Sequence, residues 1–179
     1  MEFRTDNKDH ADEISALFAA TFTASEGAEE GALVGALARD MMEATNADDL
    51  IVVTAQENDA LSGCIMFSRL TFENDDRTAF ILAPVAVATG RQGLGVGQAL
   101  LRYGLDVLRE RNVDVVVTYG DPNYYSKVGF AQVTVDDVPA PFALNQPEGW
   151  QAQSLTDQLL TPLKGPSRCV PALNDPKYW

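Results

Sequence analysis

Gly93, Gly95 and Gly97 stand at alternate positions in Gln92-Gly93-Leu94-Gly95-Val96-Gly97, and a backbone so free of Cβ atoms can approach a ligand closely. The segment is entered from the apolar run Phe80-Ile81-Leu82-Ala83-Pro84-Val85-Ala86-Val87 and left through Gln98-Ala99-Leu100-Leu101-Arg102-Tyr103, so it reads as strand, turn and helix. A helix starting there aims its free N–H groups and the positive end of its dipole at whatever occupies the turn. The chemistry on offer is anion binding, most often of phosphate. Spacing narrows the ligand. No Gly-Lys-Ser/Thr follows, which excludes a Walker loop, and a dinucleotide fingerprint would need its third glycine where Gln98 stands.

Gln92, Gly95 and Gly97 resemble the acyl-CoA signature of the GNAT superfamily of N-acetyltransferases, Gln/Arg-x-x-Gly-x-Gly/Ala. Downstream, Tyr124-Tyr125-Ser126-Lys127-Val128-Gly129-Phe130 resembles the superfamily's second motif, Tyr-x-x-x-Gly-Phe, in the matching order. The longer stretch Gly120-Asp121-Pro122-Asn123 leading into it, with Leu82-Ala83-Pro84-Val85-Ala86-Val87, looks like the YhbS-like branch. The resemblance covers residues 1–135 well and the tail loosely.

What the resemblance implies is an α/β (α+β mixed sheet) GNAT-like acyl-CoA N-acyltransferase fold, with central bulged, splayed strands and flanking helices. It implies direct transfer of an acetyl group from acetyl-CoA, as cosubstrate, to a primary amine of a small molecule, peptide or protein. Backbone groups of Val85, Ala86 and Val87 would pair with the pantetheine arm, and one N–H there would polarise the thioester carbonyl as an oxyanion-hole donor does. Gly93, Leu94, Gly95, Val96, Gly97 and Gln98 would hold the pyrophosphate, with Gln92 in the same cofactor site and Arg91 as a nearby cation. Tyr125 would face the departing sulfur, with Tyr124 as the neighbouring alternative. At reference values a phenol near 10 protonates a thiolate of about 8.5 only uphill, by roughly 2 kcal/mol, so hydrogen bonding to the thiolate is as important as donation. Thr118 stands where many members carry an Asn that contacts the cofactor.

An amine nucleophile must be neutral, which asks for a base or a water chain to one. Glu26, Glu29 and Glu30 are candidates by position, although acids at a helix start also answer to the dipole. Nucleophilic use of Cys64 would need a base, and the only histidine, His10, falls in the first helix region on what reads as a solvent face, so a Cys-His mechanism is not expected; Cys64 and Cys169 read as structural, and no metal cluster is spelled out. Two other functions fit the glycine turn: a CoA-binding sensor or interaction module without turnover, and a nucleotide-binding domain.

Composition bounds the setting. The 179 residues, 46% hydrophobic and 22% charged, suit one domain with a sizeable core, expected as a core of 1–135 followed by C-terminal strands and an irregular tail over 136–179. No stretch approaches the roughly 20 apolar residues of a membrane span, and Met1-Glu2-Phe3-Arg4-Thr5-Asp6 is no signal peptide. With two cysteines the chain suits a reducing, cytoplasmic compartment, as a monomer or homodimer. The net charge of −13 argues against a nucleic-acid surface. It favours either cationic substrates or plain solubility.

Hydrophobic spacing supplies the elements that must carry these residues. It predicts a first strand at 2–5, a helix over 9–22 with Ile14, Leu17, Phe18 and Phe22 on one face, a loop over 23–30, and a helix over 30–42 with Leu33, Val34, Leu37 and Met41. A hairpin over 50–56 and 61–72 turns at Glu57-Asn58-Asp59-Ala60, and a strand at 78–87 is apolar enough for burial on both faces. Pro84 inside it has no N–H for a ladder and predicts a bulge or the end of pairing. The helix over 95–111 carries Gly104 where alanine would be about 1 kcal/mol better, which predicts close packing on the sheet. A buried parallel strand follows at 113–119, then a short helix capped by Asp121 with Pro122 at its first position. Strands at 131–135, 142–144 and 150–155 and an irregular segment over 163–179 complete the reading. Tyr178-Trp179 either caps a core edge or meets a partner.

Overall fold

The computed structural model describes residues 1–5 and 8–179; Asp6, the end of the N-terminal stretch read above, and Asn7 lie outside them. In chain order the elements are β1 (Glu2–Arg4), α1 (Ala11–Glu26), α2 (Ala28–Ala44), β2 (Leu50–Glu57), β3 (Ala60–Phe72), β4 (Asp75–Val87), α3 (Val96–Glu110), β5 (Val115–Tyr119), α4 (Pro122–Tyr125), β6 (Ala131–Gln132), β7 (Trp150–Ser154) and β8 (Ser167–Arg168). The mixed sheet runs β1-β2-β3-β4-β5-β7-β6, with β8 on β3. This is the mixed α/β class expected from the sequence. The chain divides into two compact units, Met1–Phe67 with Pro84–Gly104, and Ser68–Ala83 with Leu105–Trp179.

In the first unit β1 pairs antiparallel with β2, and β2 returns as β3 through Asn58 and Asp59, at φ 51° and 61°. Asn and Asp tolerate this left-handed geometry, which gives a two-residue hairpin turn the right twist. α1 buries Ile14, Phe18 and Thr21, and α2 buries Val34, Leu37, Ala38 and Met41, as their spacing requires. The loop expected over 23–30 is not there. α1 runs to Glu26 and α2 starts at Ala28, so Gly27 alone, at φ 102°, joins them. Close packing explains the correction: Ala19 Cβ would lie 2.8 Å from a Cβ at Gly35, and a Cβ at Gly31 would overlap Thr23 Oγ1. Contact at that range holds both helices wound up to the junction. In α3, Gly104 sits where a Cβ would lie 2.7 Å from Ile65 Cδ1 and Phe67 Cε2, the close approach its helix cost implied.

In the second unit β4 pairs parallel with β5 from Ala79↔Val115 to Leu82↔Thr118, and β5 pairs antiparallel with β7. Phe80, Ile81 and Leu82 are buried, as a run covered on both faces must be. Pairing with β5 stops two residues before Pro84. Thr78 offers its carbonyl to Asp114 N in that direction, whereas Ala88, an even number of residues on, sends its N–H to Ser62 O on the β3 side. Positions an even number apart face the same edge of a regular strand, so an irregular step falls between Thr78 and Ala88, the stretch that holds Pro84.

The C-terminal reading needs three corrections. β6 covers only Ala131–Gln132, residues 142–144 form no strand, and β8 pairs Ser167 and Arg168 with Phe72 and Thr71 within a segment read as irregular. Phe142 instead packs its ring 6.3 Å from that of Trp179. Trp179 is buried, donates Nε1–H to Leu173 O and meets Trp150 edge-on, so the aromatic end caps a core.

Candidate active site

The glycine turn leaves β4 through a short 3-10 turn and enters α3. Gly93 and Gly95 have φ of 75° and 82°, where L side chains are strained, and a Cβ on either would meet nothing within 4 Å. The two glycines therefore answer to backbone conformation and to open space, not to packing by the protein itself. The helical ladder begins where Ala99 N donates to Gly95 O at 3.0 Å, leaving the N–H groups of Val96, Gly97 and Gln98 at the open first turn. Gln92, Gly93, Leu94 and Gly95 are exposed, while Val96 and Gly97 are buried and anchor the helix start. The rest of α3 splits into two faces, with Leu101, Leu105 and Leu108 buried and Arg102, Asp106 and Arg109 exposed.

Two side chains fasten the turn to the strand. Gln92 Nε2 donates to Val87 O at 3.0 Å, and the buried Thr21 of α1 donates Oγ1–H to the same oxygen at 3.5 Å. Since Ala88 N donates toward β3, strand alternation turns Ala86 to β3 as well, and Val85 and Val87 to the opposite edge. Of these three residues, Val85 and Val87 are the ones whose backbone groups face away from β3. Arg91 is paired with Glu57 at 2.6 Å, so its charge is already answered. Sequence offered no sign of Thr21, since 66 residues separate it from Val87.

Tyr125 belongs to the second unit. Asp121 accepts a hydrogen bond from Asn123 N at 2.9 Å and Pro122 opens α4, the cap that the sequence predicts. The Tyr125 ring lies edge-on to Phe130 at 5.8 Å and to Tyr124 at 5.1 Å. Gly120 makes room for it, because a Cβ there would sit 2.8 Å from Tyr125 Cε2. Burial first, then the neighbouring Tyr124 and Asp121, push the Tyr125 phenol up to about 12, with the Thr118 hydroxyl offsetting part of the rise. Burial also raises Tyr124. Thr118, at the Asn position, is buried and donates to Leu82 O at 3.1 Å, so its hydroxyl ties β5 to β4.

The base candidates differ in setting. Glu26 ends α1 and is exposed, Glu29 is exposed in the first turn of α2, and Glu30 beside it is half-buried. His10 pairs with Glu13 at 3.3 Å on the surface. Cys64 is fully buried and burial pushes its thiol up, which suits packing and not nucleophilic attack. Among the described residues no group of three or more His, Cys, Asp or Glu side chains could hold a metal, and no helix is long and apolar enough to cross a membrane.

Comparison with known proteins bears on this arrangement. Residues 11–132 match the acetyltransferase (GNAT) family. The chain is 35% identical over 139 residues to the uncharacterised N-acetyltransferase YjhQ of Escherichia coli K12, covering 75% of this chain and 76% of that one. It is 30% identical over 115 residues to E. coli YhbS, covering 64% of this chain and 68% of that one. The crystal structure of YhbS in complex with CoA superposes with a TM-score of 0.83 at 26% identity, over 97% of this chain and 92% of that one. A GNAT family acetyltransferase from Brucella melitensis, solved with acetyl-CoA, shares the fold at a TM-score of 0.74 and 24% identity, over 96% of this chain and 97% of that one. An open glycine turn at the head of α3, a strand that stops pairing before Pro84 and this likeness lead to one assignment: the chain belongs to the GNAT family of acetyltransferases, in its YhbS-like branch.

Proposed function

We propose that this protein transfers an acetyl group from acetyl-CoA directly to an amine, and that it holds the donor with the glycine turn and the free edge of β4. The observation that carries the reading is the pair of positive-φ glycines, Gly93 and Gly95, with no protein atom near their Cβ positions at the start of a 15-residue helix. Such a turn offers its N–H groups and a helix dipole to a pyrophosphate. In this reading Gln92, Gly93, Leu94, Gly95, Val96, Gly97 and Gln98 form the cradle. Gln92 contributes from behind by holding Val87 O. Val85 and Val87 offer N–H groups to the pantetheine arm and to the thioester carbonyl, whose developing negative charge they stabilise. Ala86 supports them through its pairing with β3.

Tyr125 serves the departing sulfur. Full proton transfer from a phenol held near 12 to a thiolate of about 8.5 runs roughly 5 kcal/mol uphill, so its contribution is a hydrogen bond that stabilises the thiolate. Glu30, the half-buried member of the three acids, is the first candidate to take the amine proton, before Glu26 and Glu29. The acceptor is a primary amine of a small molecule, peptide or protein, and the net charge of −13 favours cationic acceptors by steering. Acetyl-CoA and the amine are the partners of a monomer or homodimer that forms one functional domain over 1–179. A reducing cytoplasm suits the free thiols of Cys64 and Cys169.

Titration calorimetry with acetyl-CoA, beside NAD and ATP, tests the donor half. Saturable binding of acetyl-CoA alone supports it, and absence of binding overturns it. Gly95→Val, which forces a β-branched residue to φ 82°, should remove binding while circular dichroism stays unchanged. Unaltered affinity in that variant would take the pyrophosphate away from the turn.

A further inference from the structure

Two glutamines of β7 bracket the segment that carries Tyr125. Gln151 and Gln153 are two residues apart on the strand and therefore face the same side of the sheet. Gln151 Nε2 donates to Gly120 O and to Gly149 O, both at 3.2 Å, and Gln153 Nε2 donates to Val128 O at 3.2 Å. Gly120 precedes α4 by two residues, and Val128 ends the 3-10 turn that follows it. One amide thus holds the entry of the tyrosine-bearing turn and the other its exit. Gly120 is also the residue against which the Tyr125 ring lies, and Phe130 N, just past the exit, donates to Tyr125 O at 3.3 Å.

The burial of Gln151 shows what the amide is kept for. The residue is 1% exposed, and among the described residues its Oε1 is buried without a partner. A buried acceptor left unmade is costly, whereas an apolar side chain of the same volume would fill the place without that cost. The donor half must therefore be what matters: one of its bonds goes to Gly120 O at the root of the α4 segment, and the other to Gly149 O, which also accepts from Gly120 N. We infer that Gln151 and Gln153 are positioning residues that fix the Tyr125 phenol, by tying Gly120 O and Val128 O to β7. The inference rests on the role given to Tyr125 above, since without it the fixed ring has no reaction to serve.

Gln151→Leu and Gln153→Leu in the full chain test it, read by ring ¹³C NMR of tyrosine with the Tyr125 signal assigned by its loss in Tyr125→Phe. In both variants the Tyr125 signal should move and its ring flips should quicken. Acetyl-CoA affinity should stay within about twofold, and the maximal transfer rate to an amine acceptor should fall roughly tenfold, as small displacements of a reacting group allow. A merely structural role would lower the melting temperature and leave the Tyr125 signal of the folded protein in place. That result, with a full transfer rate, overturns the inference. If Gln151→Leu does not fold, the half-buried Gln153 decides alone. If the Tyr125 signal moves in the glutamine variants while Tyr125→Phe transfers acetyl at the full rate, the positioning stands and the role of Tyr125 in transfer falls.

Discussion

Tyr125 sits where its environment disfavours ionisation. Burial beside Tyr124 and Asp121 raises the phenol, so the group stays neutral and keeps its O–H over the whole physiological range. In the proposed reaction its value is a donor that stays protonated, which differs from a proton source matched to the thiol. Tyr125→Phe should therefore keep acetyl-CoA affinity and reduce the maximal transfer rate by about 10²-fold, as loss of one charge-stabilising donor does. A stopped assay of CoA release, beside calorimetry, measures both. Sequence legibility at this scale was uneven. The glycines could be read directly, because backbone conformation at a turn restricts residue type, whereas Tyr125 was singled out by resemblance alone. Thr21, Gln151 and Gln153 could not, because a side chain that bonds a distant carbonyl leaves no local pattern.

At the scale of elements, periodicity located the long helices and strands and failed at their ends. The helical hairpin is the instructive case. Thr23, Ala24, Ser25 and Glu26 fall in the segment read as a loop, yet they complete α1, and Ser25 Oγ–H folds back onto Thr21 O at 3.3 Å. What decides this is the fit of Gly31 and Gly35 against Ala19 and Thr23, a contact between helices. Gly31→Val would drive a branched side chain into Ala19 O and Thr23 N, at 2.6 and 2.8 Å from its Cβ, and backbone atoms there cannot step aside. Overpacking of this kind costs about 3 kcal/mol, so the melting temperature should drop by roughly 6–12 °C. Differential scanning calorimetry checks it. The strand at 167–168 was illegible for another reason, and the one at 131–132 was read too long: two paired residues carry no periodicity.

Across the whole molecule, one ion pair ties the C-terminal segment down. Arg77 meets Asp75 through two bonds of 2.9 and 2.7 Å, and also donates to Thr161 O and Pro162 O, while Lys164 N donates to Asp75 Oδ2. Arg77 and these bonds hold the Asp75 carboxyl down at about 2. A carboxylate whose folded pKa is depressed stabilises the fold above its unfolded value near 3.9, and that stability is lost as pH falls toward 2. Asp75→Asn should lower the melting temperature by roughly 3–12 °C at pH 7, as loss of charge-assisted bonds worth about 1.5–3 kcal/mol implies. The gap to the unaltered protein should narrow between about pH 4 and pH 2. Thermal melts at pH 7 and pH 2.5 would show both, and a constant gap would remove Asp75 as its source.

By itself the sequence determined the long helices and strands, the glycine turn after an apolar strand, the capped helix that carries Tyr125 and an irregularity in the strand that holds Pro84. Each of these is written in neighbouring residues, through φ, hydrogen-bond supply or hydrophobic period. Only the tertiary structure decided that Val87 O is taken by Gln92 and Thr21, that Arg91 is spent on Glu57, that two β7 amides brace the tyrosine segment and that Trp179 closes a core. Those contacts join residues from 5 to 66 positions apart, with amide and hydroxyl side chains among the donors. Such donors accept almost any carbonyl in reach, so their partners are chosen by where the fold brings the chain and not by the residues beside them.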